Sequence, residues 1–172
     1  VTGLDASNQA ALDSCLIALD GTPAKSRLGA NALLGVSCAA ARAVSIAASE
    51  PLWRTLSRLG SARPRLPVPM VNILSGGLHA GRQMEFQDFL AIAHGFPSYA
   101  EALRAIADIH RCAKQILDQR GCLLTGVADE GGWGPVLSSN EQALEVLTRA
   151  IELAGYRPLE QVSIAIDAAA SH

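Results

Sequence analysis

Apolar residues recur at helical spacing in the first part of the chain. Leu12, Leu16 and Leu19 lie three to four positions apart, which predicts one side of an α-helix. The pattern stops at Asp20-Gly21, and a glycine at such a point typically ends a helix. A second helix is predicted over residues 30–48, where Ala, Gly and Ser are so frequent that we expect close packing on several faces.

The pattern changes at Arg63-Pro64-Arg65-Leu66-Pro67. Upstream of this segment the periodicity is helical, whereas downstream it consists of short apolar runs broken by Pro and Gly. We therefore place a domain boundary here. The helical part of an N-terminal domain is predicted over residues 1–62, and a second domain over residues 63–172.

Short apolar runs in the second domain predict β-strands. Residues 68–74 form one such run, which ends in a Ser-Gly-Gly turn, and residues 85–92 form another. A third run, residues 162–166, ends on Asp167. We expect all of these strands to contribute to a buried sheet.

Helices are predicted between the second and the third of these strands. Ser98 is a candidate N-cap with Glu101 three positions later, and the helical pattern continues to Gly121. Another helix is predicted over residues 139–154. Alternating strands and helices imply parallel pairing in an α/β layer. Since a complete eight-unit barrel needs about 250 residues, we predict an α/β fold with only the first strands and helices of a TIM-like barrel.

Composition and charge exclude some classes of function. The formal net charge is -2, and the chain lacks the Lys/Arg cluster that a nucleic-acid face would need. Arg42 and Ser45 interrupt the longest apolar stretches, which stay short of the roughly 20 residues that cross a bilayer, so we predict no membrane segment. We see no secretory signal and no initiator Met, as expected of a fragment. The four cysteines form no C-x-x-C pair, and we expect reduced thiols in a cytosolic protein.

Two adjacent carboxylates in Asp129-Glu130-Gly131-Gly132 give the strongest indication of chemistry. Neighbouring carboxylates repel one another, and a cation, a shared proton or a substrate makes use of that repulsion. We therefore favour a site here over a plain surface loop. A second candidate is Asp167, at a predicted strand end where functional groups of parallel α/β folds collect, although Asp can also cap a helix there. A third candidate is His79, which follows a glycine pair and could instead pack within the turn. We interpret His110 and Trp133 as packing residues.

Taken in order, these segments resemble the enolase (phosphopyruvate hydratase) family. The resemblance covers nearly the whole chain, from the latter part of the small N-terminal domain into the first strands of the barrel. Its motifs are Leu19-Asp20-Gly21-Thr22, Lys25-Ser26, Leu28-Gly29-Ala30-Asn31, Leu34-Gly35-Val36-Ser37, Leu66-Pro67-Val68-Pro69-Met70, Gly76-Gly77-Leu78-His79-Ala80, Asp129-Glu130-Gly131-Gly132, Ile166-Asp167 and Ala169-Ala170-Ser171.

The resemblance implies a glycolytic lyase that reversibly dehydrates 2-phosphoglycerate to phosphoenolpyruvate with the help of Mg²⁺. It implies that Glu130 is the acid-side catalytic carboxylate, aided by Asp88. Asp167 would be the first of three carboxylate ligands to the tighter-bound Mg²⁺. His79 and Gln87 would contact the substrate or order the catalytic groups. The same resemblance implies a cytoplasmic homodimer that binds a small phosphorylated carboxylate and neither nucleic acid nor membrane.

The chain departs from the family pattern close to these residues. Asp88 stands where the family usually has the longer Glu, while Ser75 and Arg82 each stand where it usually has Asn. The catalytic Lys and the two other metal carboxylates of the family fall outside the matched region, so we expect that these 172 residues alone do not catalyse. Two alternatives remain open. One is a diverged enzyme of the superfamily that acts on another 2-substituted carboxylate, and the other is a non-catalytic homologue with a binding or structural role.

Overall fold

A computed structural model gives the fold of the chain. It describes residues 1–60, 63–82, 84–124 and 126–171, and of His79 it describes the backbone alone. The chain divides into two compact units, Val1–Arg65 and Leu66–His172. Each unit has a hydrophobic cluster of its own.

The described residues of the first unit fold into helices. Helix α1 is Gln9–Asp20, α2 is Ala30–Ala47 and α3 is Leu52–Ser57. The predicted stop of α1 is confirmed, because Gly21 adopts the left-handed conformation at φ 71° and its N–H returns to a carbonyl of the helix. The sequence did not predict α3, since six residues are too few to show a helical period.

Helix α2 is less buried than its composition suggested. Only Leu33, Ala41 and Ser45 are buried among its residues, so the expected close packing on several faces is not seen in the described part of the chain. By length and composition alone, Ala30–Ala47 would also pass as a membrane-crossing helix, which differs from our prediction of no such segment. That is weak evidence, because apolar helices of folded domains pass the same test.

Asp20 organises the loop that joins α1 to α2. Its side chain is 2% exposed. One carboxylate oxygen accepts hydrogen bonds from the backbone N–H and the hydroxyl of Thr22, and the other accepts from Leu28 N at 2.7 Å. The Thr22 hydroxyl is the main cause of a lowered pKa for Asp20, and burial opposes the shift. The ionised form is therefore the one that holds the loop.

We expect Asp20→Asn to destabilise the first unit at pH 7, because an amide replaces one acceptor oxygen with a donor. Since the folded pKa of Asp20 is lowered, its contribution is present above the unfolded pKa, near 4, and is lost as the pH falls through the folded pKa. Urea unfolding at pH 7 and at pH 3 checks this, followed by Trp53 fluorescence in a Trp133→Phe background.

The control for this measurement is Asp13→Asn, a change to a half-buried acid on the same helix. The wild type should lose more stability than Asp20→Asn between the two pH values. Equal losses for both proteins would contradict the role given to Asp20.

The described part of the second unit contains a three-stranded sheet and two long helices. Strands β1, β2 and β3 are Met70–Ser75, Asp88–Ala93 and Val162–Asp167. The strand predictions are correct in type, and their boundaries shift by up to three residues. The helices are α4, Tyr99–Gln119, and α5, Asn140–Leu153.

The predicted N-cap of α4 is confirmed, and α5 has an N-cap that the sequence analysis had placed inside the helix. The hydroxyl of Ser98 accepts a hydrogen bond from Glu101 N at 3.2 Å at the start of α4. Ser139 accepts from Gln142 N at the start of α5 in the same way. The cap of α4 depends on residues close in sequence, which explains why the pattern alone located it.

The predicted parallel pairing is wrong, because β2 runs antiparallel to both β1 and β3 in the order β1-β2-β3. Among the described residues of 76–87, helix is limited to a short 3-10 turn, Leu78–Ala80. That turn cannot carry the chain back to the start of β1 for a parallel crossover. Helices α4 and α5 both lie between β2 and β3 in the chain. The chain runs back along the sheet in one helix and forward again in the other, so β3 begins at the end of the sheet where β2 finished.

The two faces of the sheet have different surroundings. Phe89, Ala91 and Ala93 of β2 are buried with the apolar sides of α4 and α5 in one cluster. Because strand side chains alternate, Asp88, Leu90 and Ile92 lie on the opposite face. Asp88 and the residues paired with it, Ser75 and Asp167, therefore lie on the face turned away from the helices.

Candidate functional site

A row of polar residues crosses one end of the sheet. Ser75, at the carboxyl end of β1, pairs with Asp88, at the start of β2, and Asp88 pairs with Asp167, at the carboxyl end of β3. Directly opposed residues of antiparallel strands have side chains on the same face, about 5 Å apart. The antiparallel pairing thus brings Asp88 and Asp167 together, although they lie far apart in sequence.

Gln87 joins the same end of the sheet. Its backbone N–H donates to the carbonyl of Asp167 at 3.0 Å, and its side-chain amide donates to Asp167 Oδ2 at 3.2 Å. The other oxygen of Asp167 accepts from Ala169 N at 3.0 Å. This local bond resembles the capping arrangement that we considered as an alternative, but no helix among the described residues follows Asp167. The carboxylate is therefore oriented by two donors and remains exposed.

Asp88 is a buried acid in a polar cluster with Asn72 and Ser75. It is 1% exposed. The side-chain amide of Asn72 donates to Asp88 Oδ1 and to Ser75 Oγ, the latter at 2.7 Å. Ser75 Oγ lies 3.1 Å from Asp88 Oδ1 and donates to it. Two departures from the family pattern, Ser75 and Asp88, are thus in direct contact.

One oxygen on each of two cluster members is buried without a hydrogen-bond partner in the described part of the chain. These atoms are Asp88 Oδ2 and Asn72 Oδ1. An orphaned buried acceptor costs about 1–3 kcal/mol, and such groups concentrate where a site has another use for them. An amide oxygen and a carboxylate oxygen both accept hydrogen bonds, so a donor or a cation would satisfy them.

The loop that carries Glu130 is attached to the end of β1. Trp133 N donates to the carbonyl of Ile73 at 2.9 Å, and Ser75 N donates to the carbonyl of Trp133 at 2.8 Å. Within the loop, Ala128 N donates to Gly132 O at 2.8 Å, which closes a tight turn around Glu130. Glu130 is exposed at this turn and has interactions of its own. The attachment places its backbone beside the end of β1 where the polar row begins.

Gly132 lies against the polar cluster. A Cβ atom added at this position would lie 2.6 Å from Ser75 Oγ and 2.7 Å from Asn72 Oδ1. Contacts this short are not tolerated, so only glycine allows the loop to lie this close. The glycine of the acidic motif therefore fixes a distance between Glu130 and the Asp88 cluster, which the sequence alone did not reveal.

Helix α4 holds the same loop from the other side. His110 Nε2 lies 2.9 Å from the carbonyl of Gly131, and Trp133 Nε1 donates to the carbonyl of His110 at 2.9 Å. The two rings are stacked, with centroids 4.7 Å apart and an interplanar angle of 29°. Interpreting both residues as packing groups was incomplete, since they also hydrogen-bond the loop. No periodic signal could have paired them, because the contact joins a helix to a loop.

Some of the remaining candidates surround the turn that follows β1. The predicted role of His79 falls on a side chain outside the described atoms. Arg82 is exposed, at φ 60°, and lines a groove of about 690 Å³ with the start of α5. Glu85, in the same groove, accepts from Asn140 Nδ2 at 3.1 Å and so links this turn to the start of α5. The groove thus combines one guanidinium with acidic groups, including Glu141.

Comparison with known proteins identifies the class of the two units. The family described as "Enolase, N-terminal domain" matches residues 1–56, and the family described as "Enolase, C-terminal TIM barrel domain" matches residues 63–172. The fold is accordingly the helical end of the first domain followed by the start of a TIM barrel.

The chain belongs to the enolase family. It is 52% identical over 171 residues to the enolase of Rubrobacter xylanophilus, and the aligned region covers 99% of this chain. The same region covers 39% of that enolase. The chain thus spans well under half the length of the curated relative that it matches.

Family membership implies a divalent metal ion, and Asp167 is suited to bind one. Its carboxylate oxygens are hard donors at the open end of a strand, which is the ligand type that Mg²⁺ prefers. Within residues 1–60, 63–82, 84–124 and 126–171, however, no group of three or more His, Cys, Asp or Glu side chains could hold a metal. Asp167 therefore fits as one ligand, and the described residues do not supply a complete set.

The four cysteines are free thiols. Cys112 is buried in the hydrophobic cluster between the sheet and helices α4 and α5, whereas Cys38 is exposed on α2. This agrees with the expectation of reduced thiols, and none of them lies in the polar row at the sheet end.

Proposed function

We propose that this chain is part of a phosphopyruvate hydratase, a lyase that reversibly dehydrates 2-phosphoglycerate to phosphoenolpyruvate. The observation that carries the proposal is the convergence of Asp88, Asp167 and the Glu130 loop at one end of the sheet. Family membership supports the same reaction. Convergence matters because abstraction of a proton next to a carboxylate and departure of a hydroxyl must occur on one small molecule.

The proposed roles follow from the chemistry of each side chain. Glu130, exposed on a turn that is anchored through Gly131 and Trp133, is proposed to transfer a proton to the departing hydroxyl. Asp88 is proposed to order the site through Asn72 and Ser75. Gln87 holds Asp167 by its amide and can turn a donor toward the substrate. His79, in the turn after β1, is proposed to contact the substrate.

Asp167 is proposed as one ligand of Mg²⁺. When bound, the ion would stabilise the negative charge that develops on the substrate carboxylate. The amide of Gln87 and the N–H of Ala169 hold the two oxygens of Asp167 in place. The other ligands would come from parts of the protein outside this chain, since magnesium needs several oxygens around an octahedron.

We further propose that residues 1–62 are the helical part of the capping domain and residues 63–172 the first part of the barrel. The change of pattern at residues 63–67 and the two separate hydrophobic clusters support this division. By family membership the complete protein is proposed to be a cytoplasmic homodimer that takes a phosphorylated carboxylate as substrate.

A direct assay tests the proposed function. The complete gene product should convert 2-phosphoglycerate to phosphoenolpyruvate in saturating Mg²⁺, measured by the rise in absorbance of the product. The 172-residue chain, at the same molar concentration, should show no turnover, because the base and the remaining metal ligands lie outside it. Turnover by the isolated chain would show that the 172 residues contain all the catalytic groups, contrary to the proposal. An inactive complete protein would overturn the proposed function.

A further inference from the structure

We propose that His110 is a positioning residue that fixes the Glu130 loop on helix α4 through its hydrogen bond to Gly131. The proposal rests on the function proposed above, in which Glu130 transfers a proton. It assigns a role to a helical residue that does not belong to the acidic motif or to the polar row.

The first step concerns the direction of the hydrogen bond. His110 Nε2 lies 2.9 Å from the carbonyl oxygen of Gly131. A carbonyl can only accept, so Nε2 carries the proton and donates. The bond ends one residue beyond Glu130, at a glycine in the left-handed conformation with φ 87°. A donor at this carbonyl therefore limits rotation of the Gly131–Gly132 peptide, which begins one residue after Glu130.

The second step concerns the orientation of the imidazole itself. The ring stacks on Trp133 with centroids 4.7 Å apart, and Trp133 Nε1 donates to the carbonyl of His110. Trp133 is in turn fixed to β1 by backbone bonds to Ile73 and Ser75. The loop thus lies between two rigid elements, β1 and α4. Side chains that are held by packing and by further hydrogen bonds maintain the geometry that catalysis needs.

The third step separates two contributions of His110, the aromatic ring and the N–H donor. His110→Phe keeps a ring to stack on Trp133 but removes the donor. His110→Gln loses the ring but retains an amide N–H at a similar reach. If the hydrogen bond positions the loop, Phe should impair the site and Gln should largely rescue it. If the ring alone mattered, the order would be reversed.

The test uses the complete gene product and the conversion of 2-phosphoglycerate. His110→Phe should lower kcat by about 10- to 100-fold with little change in KM, because a displacement of about 1 Å at a reacting group costs up to ~100-fold. His110→Gln should stay within about threefold of the wild type, since it restores the donor. Equal losses in both variants, or an unchanged kcat in His110→Phe, would overturn the proposal.

His94→Phe is the matched control. His94 Nε2 lies 2.9 Å from Ser163 Oγ, at the end of the sheet opposite to Asp88 and Asp167. The same exchange there also removes one imidazole hydrogen bond, and it should leave kcat unchanged. A loss of kcat in His94→Phe equal to that in His110→Phe would count against a specific effect on the Glu130 loop.

Amide hydrogen exchange tests the proposal by a readout that does not depend on enzyme activity. The N–H of Gly131, which donates to Ala128 O at 2.8 Å, should exchange faster in His110→Phe than in the wild type, His110→Gln and His94→Phe. Unchanged exchange would overturn the positioning role. If the wild type and His94→Phe are both inactive, the proposed function fails, and the exchange rates still decide whether His110 fixes the loop.

Discussion

Glu130→Gln in the complete gene product lowers kcat by about 10²- to 10⁴-fold, which is the range that a positioned general acid or base contributes. The amide matches the carboxylate in shape and reach but cannot give up or take a proton at neutral pH. Since the tight turn from Ala128 to Gly132 is closed by backbone bonds, the exchange should leave the loop in place. KM should change much less than kcat, as expected for an interaction made in the transition state.

Glu160→Gln provides the control for this loss. Glu160 is also an exposed acid, it pairs with Arg157 at 2.5 Å, and it precedes β3 at the end opposite to Asp167. Steady-state kinetics on 2-phosphoglycerate should show wild-type values for this variant. If Glu130→Gln retained more than about one tenth of the wild-type kcat, general acid catalysis by Glu130 would be ruled out.

Local features of the fold could be predicted from the sequence. Ser98 caps α4 through a residue three positions away, and Gly21 ends α1 by its own backbone conformation. Each of these signals lies within one helical turn, so a single chain shows it. The presence of the three strands was predictable for a similar reason, because their apolar runs are continuous.

Strand direction and several site contacts could not be predicted. The direction of β2 depends on the path of residues 76–87, and the direction of β3 depends on the two helices that precede it. The pattern of apolar residues does not show either of these paths. The buried cluster required the register of Ser75 with Asp88, which is a property of two strands together. The contact of His110 with Trp133 joins different elements, and its residues carried no periodic signal. The sequence showed which acids were candidates for a site, but it did not show that they lie at one end of the same sheet.

Gly132→Ala should have the second large effect, a fall in kcat of about 100-fold in the complete gene product, because a displacement of about 1 Å at the catalytic loop is enough to cause it. The new methyl group would lie 2.6 Å from Ser75 Oγ and 2.7 Å from Asn72 Oδ1. Either the loop or the side chains of Ser75 and Asn72 must shift. Since both side chains are buried and hydrogen-bonded, we expect the loop to move and to take Glu130 with it. Steady-state kinetics measures the loss, and Gly35→Ala is the matched control because no atom lies within 4 Å of its added Cβ.

A second exchange separates displacement of the loop from general loss of stability. Ser75→Ala removes one of the two atoms that the methyl group would meet, so the double variant Ser75→Ala/Gly132→Ala should recover part of the kcat lost by Gly132→Ala. Ser75→Ala alone removes a donor to Asp88 and should lower activity. The two changes should therefore be non-additive, as expected for residues in contact. Strict additivity would show that Gly132 and Ser75 do not act through the close approach seen here, and the link from the buried cluster to Glu130 would be lost.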